Sequence, residues 1–302
     1  MEGKNKNIYL CSVILTYDTK TQCFMIDIQR IKFGYKDNSP KVFEDFSLRL
    51  EQNNVYGLLG ENGTGKSTLL YLLMGLLRPE EGTITVDNAD VSCRKRQTLQ
   101  QMYIVPEEFD LPAMRFTEYV ETYRPFYPAF SDDVLHRCVE EFKLPQDVKL
   151  NTLSMGNKKK ALMSFALATN VHYLFMDEPT NGLDVPSKKQ FRKVIATTMT
   201  EERTLIIATH QLHDVEALLD HVLILQGSKL LLNASVADLC EQYTFDVRSN
   251  DALTDDVLYS ERTPQGNATL SFRQPDDEET PLNLELLFNA AHKISLTANF
   301  PD

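Results

Sequence analysis

No apolar run in this chain is long enough to cross a bilayer. The longest, Ile8–Leu15 and Leu69–Leu77, fall far short of the roughly 20 residues that a spanning helix needs. Lys4 and Lys6 precede the first run. Glu2 in the charged stretch, and Thr16-Tyr17-Asp18-Thr19-Lys20 where small cleavage-site residues belong, argue against a secretory leader. Cysteine is sparse and scattered: Cys11, Cys23, Cys93, Cys138 and Cys240 show no paired spacing. That excludes a disulfide framework and leads us to expect reduced thiols in a cytosolic setting. Positive charge is in deficit, with 31 Lys and Arg against 43 Asp and Glu for a net charge of −12. Such a balance disfavours a nucleic-acid-binding face. His210 and His213 lie three apart but lack a Cys or carboxylate at ligand spacing, so no metal centre is expected of that pair.

What is present suits an ordinary α/β protein. With 302 residues, 42% of them hydrophobic, the chain can bury one large core and carry a smaller appendage. Residues 1–24 differ in character from the rest of the chain, and Met25 opens a strand that alternates apolar with polar residues. The expected division is therefore an extension over 1–24 (Met25 being a candidate for the native start), a main domain over 25–238 and an accessory region over 239–302. Strands are expected over 41–52, 55–60 and 82–88. Helical spacing runs through 117–145, where Pro125 and Pro128 break two helices. Beyond it, strands at 171–176, 204–209 and 221–226 alternate with helices at 186–201 and 211–220. Alternation of that kind implies βαβ units and a mainly parallel sheet. The stretch 243–283 is acidic and polar with short alternating segments, and an amphipathic helix is expected after Pro281.

Gly60-Glu61-Asn62-Gly63-Thr64-Gly65-Lys66-Ser67-Thr68 matches the pattern G-x-x-x-x-G-K-[ST] in full. It comes after the strand 55–59 and opens the helical run 67–77, the context that makes the pattern a phosphate site. The glycines let successive backbone N–H groups point inward at phosphate oxygens, and the helix adds the positive end of its dipole. Lys66 is placed to hold the β- and γ-phosphates, Ser67 to put its hydroxyl on Mg²⁺, and Thr68 to reach the α-phosphate. Downstream, Tyr173-Leu174-Phe175-Met176 ends in Asp177-Glu178. One carboxylate can then serve the metal and the next the attacking water. Phosphoryl transfer asks mainly for positioning and charge stabilisation of this sort.

Leu153-Ser154-Met155-Gly156 precedes Asn157-Lys158-Lys159-Lys160 and an apolar run. Ser154 is a good N-cap, Gly156 lets a phosphate approach the exposed N–H groups, and the lysines come within a turn and a half. A second anion site is expected there. These motifs together resemble the ATPase domain of ATP-binding-cassette (ABC) transporters, over about residues 25–238. Tyr35 is similar to the family's adenine-stacking residue, Leu153–Gly156 to its signature, Asn181-Gly182-Leu183-Asp184 to its D-loop and His210 to its switch histidine. The ending Leu282–Phe288 is similar to the tail of bacterial export-type members.

The resemblance implies a P-loop parallel sheet with an antiparallel β-subdomain and a helical subdomain. It implies ATP and Mg²⁺ as cofactors, Glu178, His210 and Lys66 as catalytic residues, and ATP hydrolysis that drives transport, export favoured, through a separate permease. It further implies a head-to-tail dimer in which Ser154 and Gly156 of one subunit, with Asp184, complete the other subunit's site. The location implied is cytoplasmic, at the inner face of the membrane. The family usually carries Gln after Tyr-x-Val-Pro, whereas Tyr103-Ile104-Val105-Pro106 is succeeded here by Glu107, which is expected to keep the role of metal ligand. A soluble ABC ATPase serving ribosomes, DNA or iron–sulfur assembly is the alternative. One cassette and no heptad run disfavour it.

Overall fold

The computed structural model of the protein describes residues 25–36, 40–145, 148–200, 202–249 and 256–296. The expectation of an extension over 1–24 lies outside the described residues.

In chain order the first strands are β1 (Met25–Phe33), β2 (Phe43–Glu51) and β3 (Val55–Leu59), succeeded by helix α1 (Lys66–Leu73). Strands β4 (Glu81–Val86) and β5 (Ala89–Asp90), helix α2 (Arg96–Leu99) and β6 (Met102–Val105) come next. A helical stretch contains α3 (Phe116–Tyr123), α4 (Asp132–Glu141) and α5 (Met155–Ala168). Strand β7 (Tyr173–Asp177), α6 (Val185–Thr198), β8 (Thr204–Thr209), α7 (Leu212–Val215) and β9 (His221–Gln226) then alternate. The chain continues through β10 (Lys229–Ser235), α8 (Val236–Gln242), β11 (Tyr243–Arg248), β12 (Val257–Thr263), β13 (Gly266–Phe272) and α9 (Leu284–Ala291).

The central sheet has the order β10-β9-β3-β8-β7-β6. Every pairing in it is parallel except that of β10 with β9. All five residues of β3 and all five of β7 are buried, the continuous apolar reading expected when both faces of a strand are covered. An antiparallel sheet of order β2-β1-β4-β5 lies on one flank. Its strand β1 alternates in burial until the register shifts between Ile28 and Ile31, around Arg30 at φ 48°. The last sheet, β11-β13-β12, is antiparallel and packs with α9. The expected P-loop α/β class with an antiparallel subdomain, a helical subdomain and a C-terminal appendage is therefore found.

Several elements end earlier than periodicity predicts, each for a local reason. Helix α1 stops at Leu73 because Gly75 takes φ 62°, a left-handed terminator. Strand β4 stops at Val86 because Asp87 and Asn88 both have positive φ and turn the chain into β5. The helix expected over 211–220 is only α7 plus a short 3₁₀ turn, Glu216–Leu218. There Val55 N–H donates to Asp220 Oδ2 at 2.8 Å and Asp220 N–H to the Val55 carbonyl at 2.9 Å. These two bonds pull the chain out of the helix and into β9.

Helix α6 ends at Thr198, short of the expected Glu201. Arg203 lies just beyond it and is 1% exposed. Its guanidinium donates to the carbonyls of Leu167, Val171 and Thr198 and to Asn170 Oδ1, at 2.8–3.3 Å. One arginine thus closes the C-terminal ends of α5 and α6, whose last carbonyls have no partner within their own helices.

Candidate functional site

The phosphate loop leaves the end of β3 and turns directly into α1. Gly63 and Gly65 have φ of 83° and 99°, values that side chains rarely tolerate. A Cβ on Gly65 would also lie 2.8 Å from Val42 Cγ1. The Lys66 ammonium donates to the carbonyls of Gly60 (2.8 Å) and Glu61 (3.0 Å), so it spans the mouth of its own loop. Burial lowers its pKa below the ordinary value, opposed by the charges of Glu178, Asp177 and Glu107. Thr64 closes the turn through Glu61, Oγ1 donating to the carbonyl at 2.9 Å.

Tyr35 stands at the cavity edge. Its hydroxyl is 2.9 Å from Thr68 Oγ1, its ring meets Phe33 edge-on, and it is 59% exposed. An exposed aromatic face tethered at its tip beside a phosphate loop suits a stacked base.

Strand β7 delivers both acidic residues. Asp177 is buried, with a hydrogen bond from Ser67, yet its Oδ1 has no partner. Burial raises its pKa, the Ser67 bond lowers it, and the neighbouring charges of Glu107 and Glu178 raise it further. Glu178 takes φ 43° as the chain leaves the strand. Its carboxylate is then held by Thr209 Oγ1 (2.8 Å), the His210 N–H (3.0 Å) and His210 Nδ1 (2.7 Å). A carboxylate accepts in that last contact, which puts the ring proton on Nδ1. Glu107 Oε1 accepts from Asn181 Nδ2 at 2.9 Å.

These groups meet around one cavity of about 560 Å³. Of the residues expected from sequence, Tyr35, Asn62, Gly63, Gly65, Lys66, Ser67, Thr68, Glu107, Glu178 and His210 line it. Gly60, Glu61 and Thr64 form the turn beneath, and Asp177 lies behind Ser67. Ser154, Gly156 and Asp184 are not among the lining residues. Ser154 instead caps α5 through the Asn157 N–H, and Asp184 caps α6 through the Ser187 N–H.

The lysine run departs from expectation. Lys159 and Lys160 do not face an anion at the start of α5; both are buried. Lys159 donates to the carbonyls of Glu178 and Asn181, and Lys160 to Gln190 Oε1. Both side chains leave the helix on its inner face, where backbone and amide oxygens wait for them. Of the residues that meet Glu178 and Glu107, Thr209 has no mark in the motifs, Asn181 is marked only as part of the D-loop, and Lys159 was expected at the second anion site. His213 turns away from the cavity and contacts Glu285 of α9 at 3.0 Å.

Comparison with known proteins bears on this arrangement. The family model described as "ABC transporter" matches residues 43–181. An ABC transporter ATP-binding protein of Methanosarcina mazei is 30% identical over 231 residues, covering 72% of this chain and 78% of its own. The Nod factor export ATP-binding protein I of Neorhizobium galegae is 27% identical over 223 residues, which cover 72% of this chain and 63% of that relative. A solved ATP-binding subunit of an ABC transporter superposes with a TM-score of 0.63 at 22% identity, over 71% of this chain and 91% of that one. The last likeness is one of fold.

Proposed function

The chain belongs to the ABC transporter ATP-binding family, and from that premise we propose how its residues divide the work of an ATP-hydrolysing transporter subunit. The carrying observation is the convergence of Lys66, Ser67, Glu178 and His210 on one cavity. ATP would lay its triphosphate in the loop 60–68 and its base against Tyr35. Lys66 neutralises the terminal phosphates, and Glu178, fixed by Thr209 and His210, orients and polarises the attacking water. Removing the ring by Tyr35→Ala is expected to raise KM for ATP about 5–20-fold with little change in kcat. That range corresponds to a stacking contribution of about 1–2 kcal/mol. An unchanged KM would remove the base from this position.

The residues fit a magnesium ion. A buried carboxylate oxygen without a partner, Asp177 Oδ1, sits beside the Ser67 hydroxyl in a pocket that Glu107 and Glu178 make acidic. Ser67, Asp177 and Glu107 would hold the ion, whose chemistry is to neutralise charge on the β- and γ-phosphate oxygens. Oxygen donors throughout suit a hard cation.

A second subunit would complete the site. The signature residue Gly156 lies against the D-loop, near Leu183 and the Gly182 carbonyl. Around them Met155 is 57% and Val185 80% exposed. An apolar rim around two anion-binding segments outside their own subunit's cavity favours a head-to-tail dimer with ATP between the partners.

ABC ATP-binding subunits work with membrane permeases, and among the described residues no helix is long and apolar enough to cross a membrane. We place this chain on the cytoplasmic face of a separate permease. Export is the proposed direction, supported by the likeness to a Nod factor export protein and by the ending Leu282–Phe288. Glu108 and Asp110 are both exposed next to Glu107 and would meet a basic docking helix. Partly exposed pairs contribute about 1 kcal/mol each and weaken with salt. A variant carrying Glu108→Lys and Asp110→Lys should keep its basal ATPase rate and lose permease recovery at low salt. The parent chain, captured from detergent-solubilised membranes, should retain a polytopic protein. Retention of ribosomes, DNA or an iron–sulfur assembly protein in its place would establish the alternative.

A further inference from the structure

The buried lysine of the signature helix has a place in the hydrolytic site. Lys159 is 3% exposed, and an ammonium group taken out of water needs strong partners. It finds two carbonyls: Glu178 at 2.9 Å and Asn181 at 3.1 Å. The Glu178 carbonyl also accepts the Asn181 N–H at 3.1 Å, while the Glu178 N–H donates to Ala208 of β8 at 2.8 Å. Glu178 is therefore gripped at both peptide groups. It needs the grip, because its φ of 43° is a left-handed conformation that a glutamate's Cβ disfavours. Released to ordinary φ, the side chain would leave the three donors on Thr209 and His210.

We propose that Lys159 is a positioning residue for hydrolysis. It holds the left-handed Glu178 peptide and the turn after it in the geometry that aims the carboxylate, and it fastens that geometry to α5. Helix α5 begins at Ser154 and Gly156, the segment expected to meet the second subunit's ATP. A shift of α5 when that ATP binds is then passed through one side chain to the carboxylate of its own subunit. Burial lowers the ammonium's pKa, while Glu107, Glu178 and Asp177 raise it. The inference rests on the reading of Glu178 as the residue that polarises water.

Lys159→Met keeps the stem and removes the donors. It is expected to bind ATP within about twofold of the parent and to lose kcat by about 10–100-fold. Misplacing a reacting group by an ångström costs on the order of 10²-fold. Lys159→Arg, which restores donors, should recover most of that loss. In a Glu178→Gln background, Lys159→Met should cost nothing further, as expected of residues acting through one group. A merely structural lysine would instead lower the melting temperature, leave kcat per folded molecule intact and add its effect to that of Glu178→Gln. That pattern would overturn the proposal. If Lys159→Met does not fold, Lys159→Gln carries the same comparison of kcat with ATP affinity. Failure of Glu178→Gln alone to slow hydrolysis would overturn the reading beneath it, a distinct outcome.

Discussion

Glu178→Gln should bind ATP as tightly as the parent chain and release phosphate about 10²–10³-fold more slowly. Losses of that size accompany removal of a single group acting on the transition state. The amide is the same size as the carboxylate, so its oxygen can keep the His210 contacts while its N–H donates to the Thr209 hydroxyl in place of the bond that the carboxylate accepted. What is lost is the negative charge that polarises the water. Because ATP then persists, the variant should also accumulate as a nucleotide-bound dimer, visible by size-exclusion chromatography with ATP and not with ADP. Phosphate release at the parental rate would remove Glu178 from the chemistry.

The largest effect on stability is expected at Arg203. Replacing it with Met fills most of the volume but takes the side-chain donor from the carbonyls of Val171 and Thr198 and from Asn170 Oδ1, while the Leu167 carbonyl keeps the Asn170 N–H at 3.3 Å. Stranded buried acceptors cost about 1–3 kcal/mol each when no water reaches them. Burial already pushes the guanidinium pKa down to about 10, so the arginine is itself under desolvation stress, and its removal relieves part of the penalty. A net loss of about 2–4 kcal/mol remains, which should lower the melting temperature by about 3–6 °C. Arg203→Lys should recover little, since one ammonium cannot reach acceptors at two helix ends and in the connection before β7. An unchanged melting temperature for Arg203→Met would mean that water replaces the guanidinium.

Much of this architecture was legible because its signals are local. The phosphate loop declares itself by glycine spacing between an apolar strand and a helix. Asp177 and Glu178 do so by ending a strand with no polar residue from Leu174 to Met176. The antiparallel appendage showed only as short alternations within 243–283. What periodicity could not supply depends on partners far along the chain. Lys158-Lys159-Lys160 reads as cations gathered for an anion at a helix start, and nothing in it says that Glu178 and Asn181 offer carbonyls from across the fold. Helix α7 has helical composition well past Val215, but its end is set by Asp220 bonding to Val55, 165 residues away. Arg203 looks like a surface charge after a helix until Leu167, Val171 and Thr198 are brought around it. Glu178 carries no sequence mark of its left-handed backbone, because residues that need that conformation for function are not the ones that prefer it.

The position of β3 governs the order in which the molecule can be made. Its two neighbours in the central sheet are β8 and β9, with Val55 opposite Leu205 and Tyr56 opposite His221. During synthesis the whole phosphate loop emerges before either neighbour has been translated. A nascent chain stopped before Thr204 would hold all nine residues of that loop and display its central strand to solvent along both edges. Unpaired apolar edges invite aggregation, and pairings this remote in sequence form slowly. The phosphate loop is thus translated well before both strands that flank β3, and the nucleotide site takes shape only once they have emerged. A ribosome-bound fragment ending near residue 200 should neither retain ATP nor resist protease around Val55–Leu59, whereas one extended past Gln226 by the length of the exit tunnel should do both.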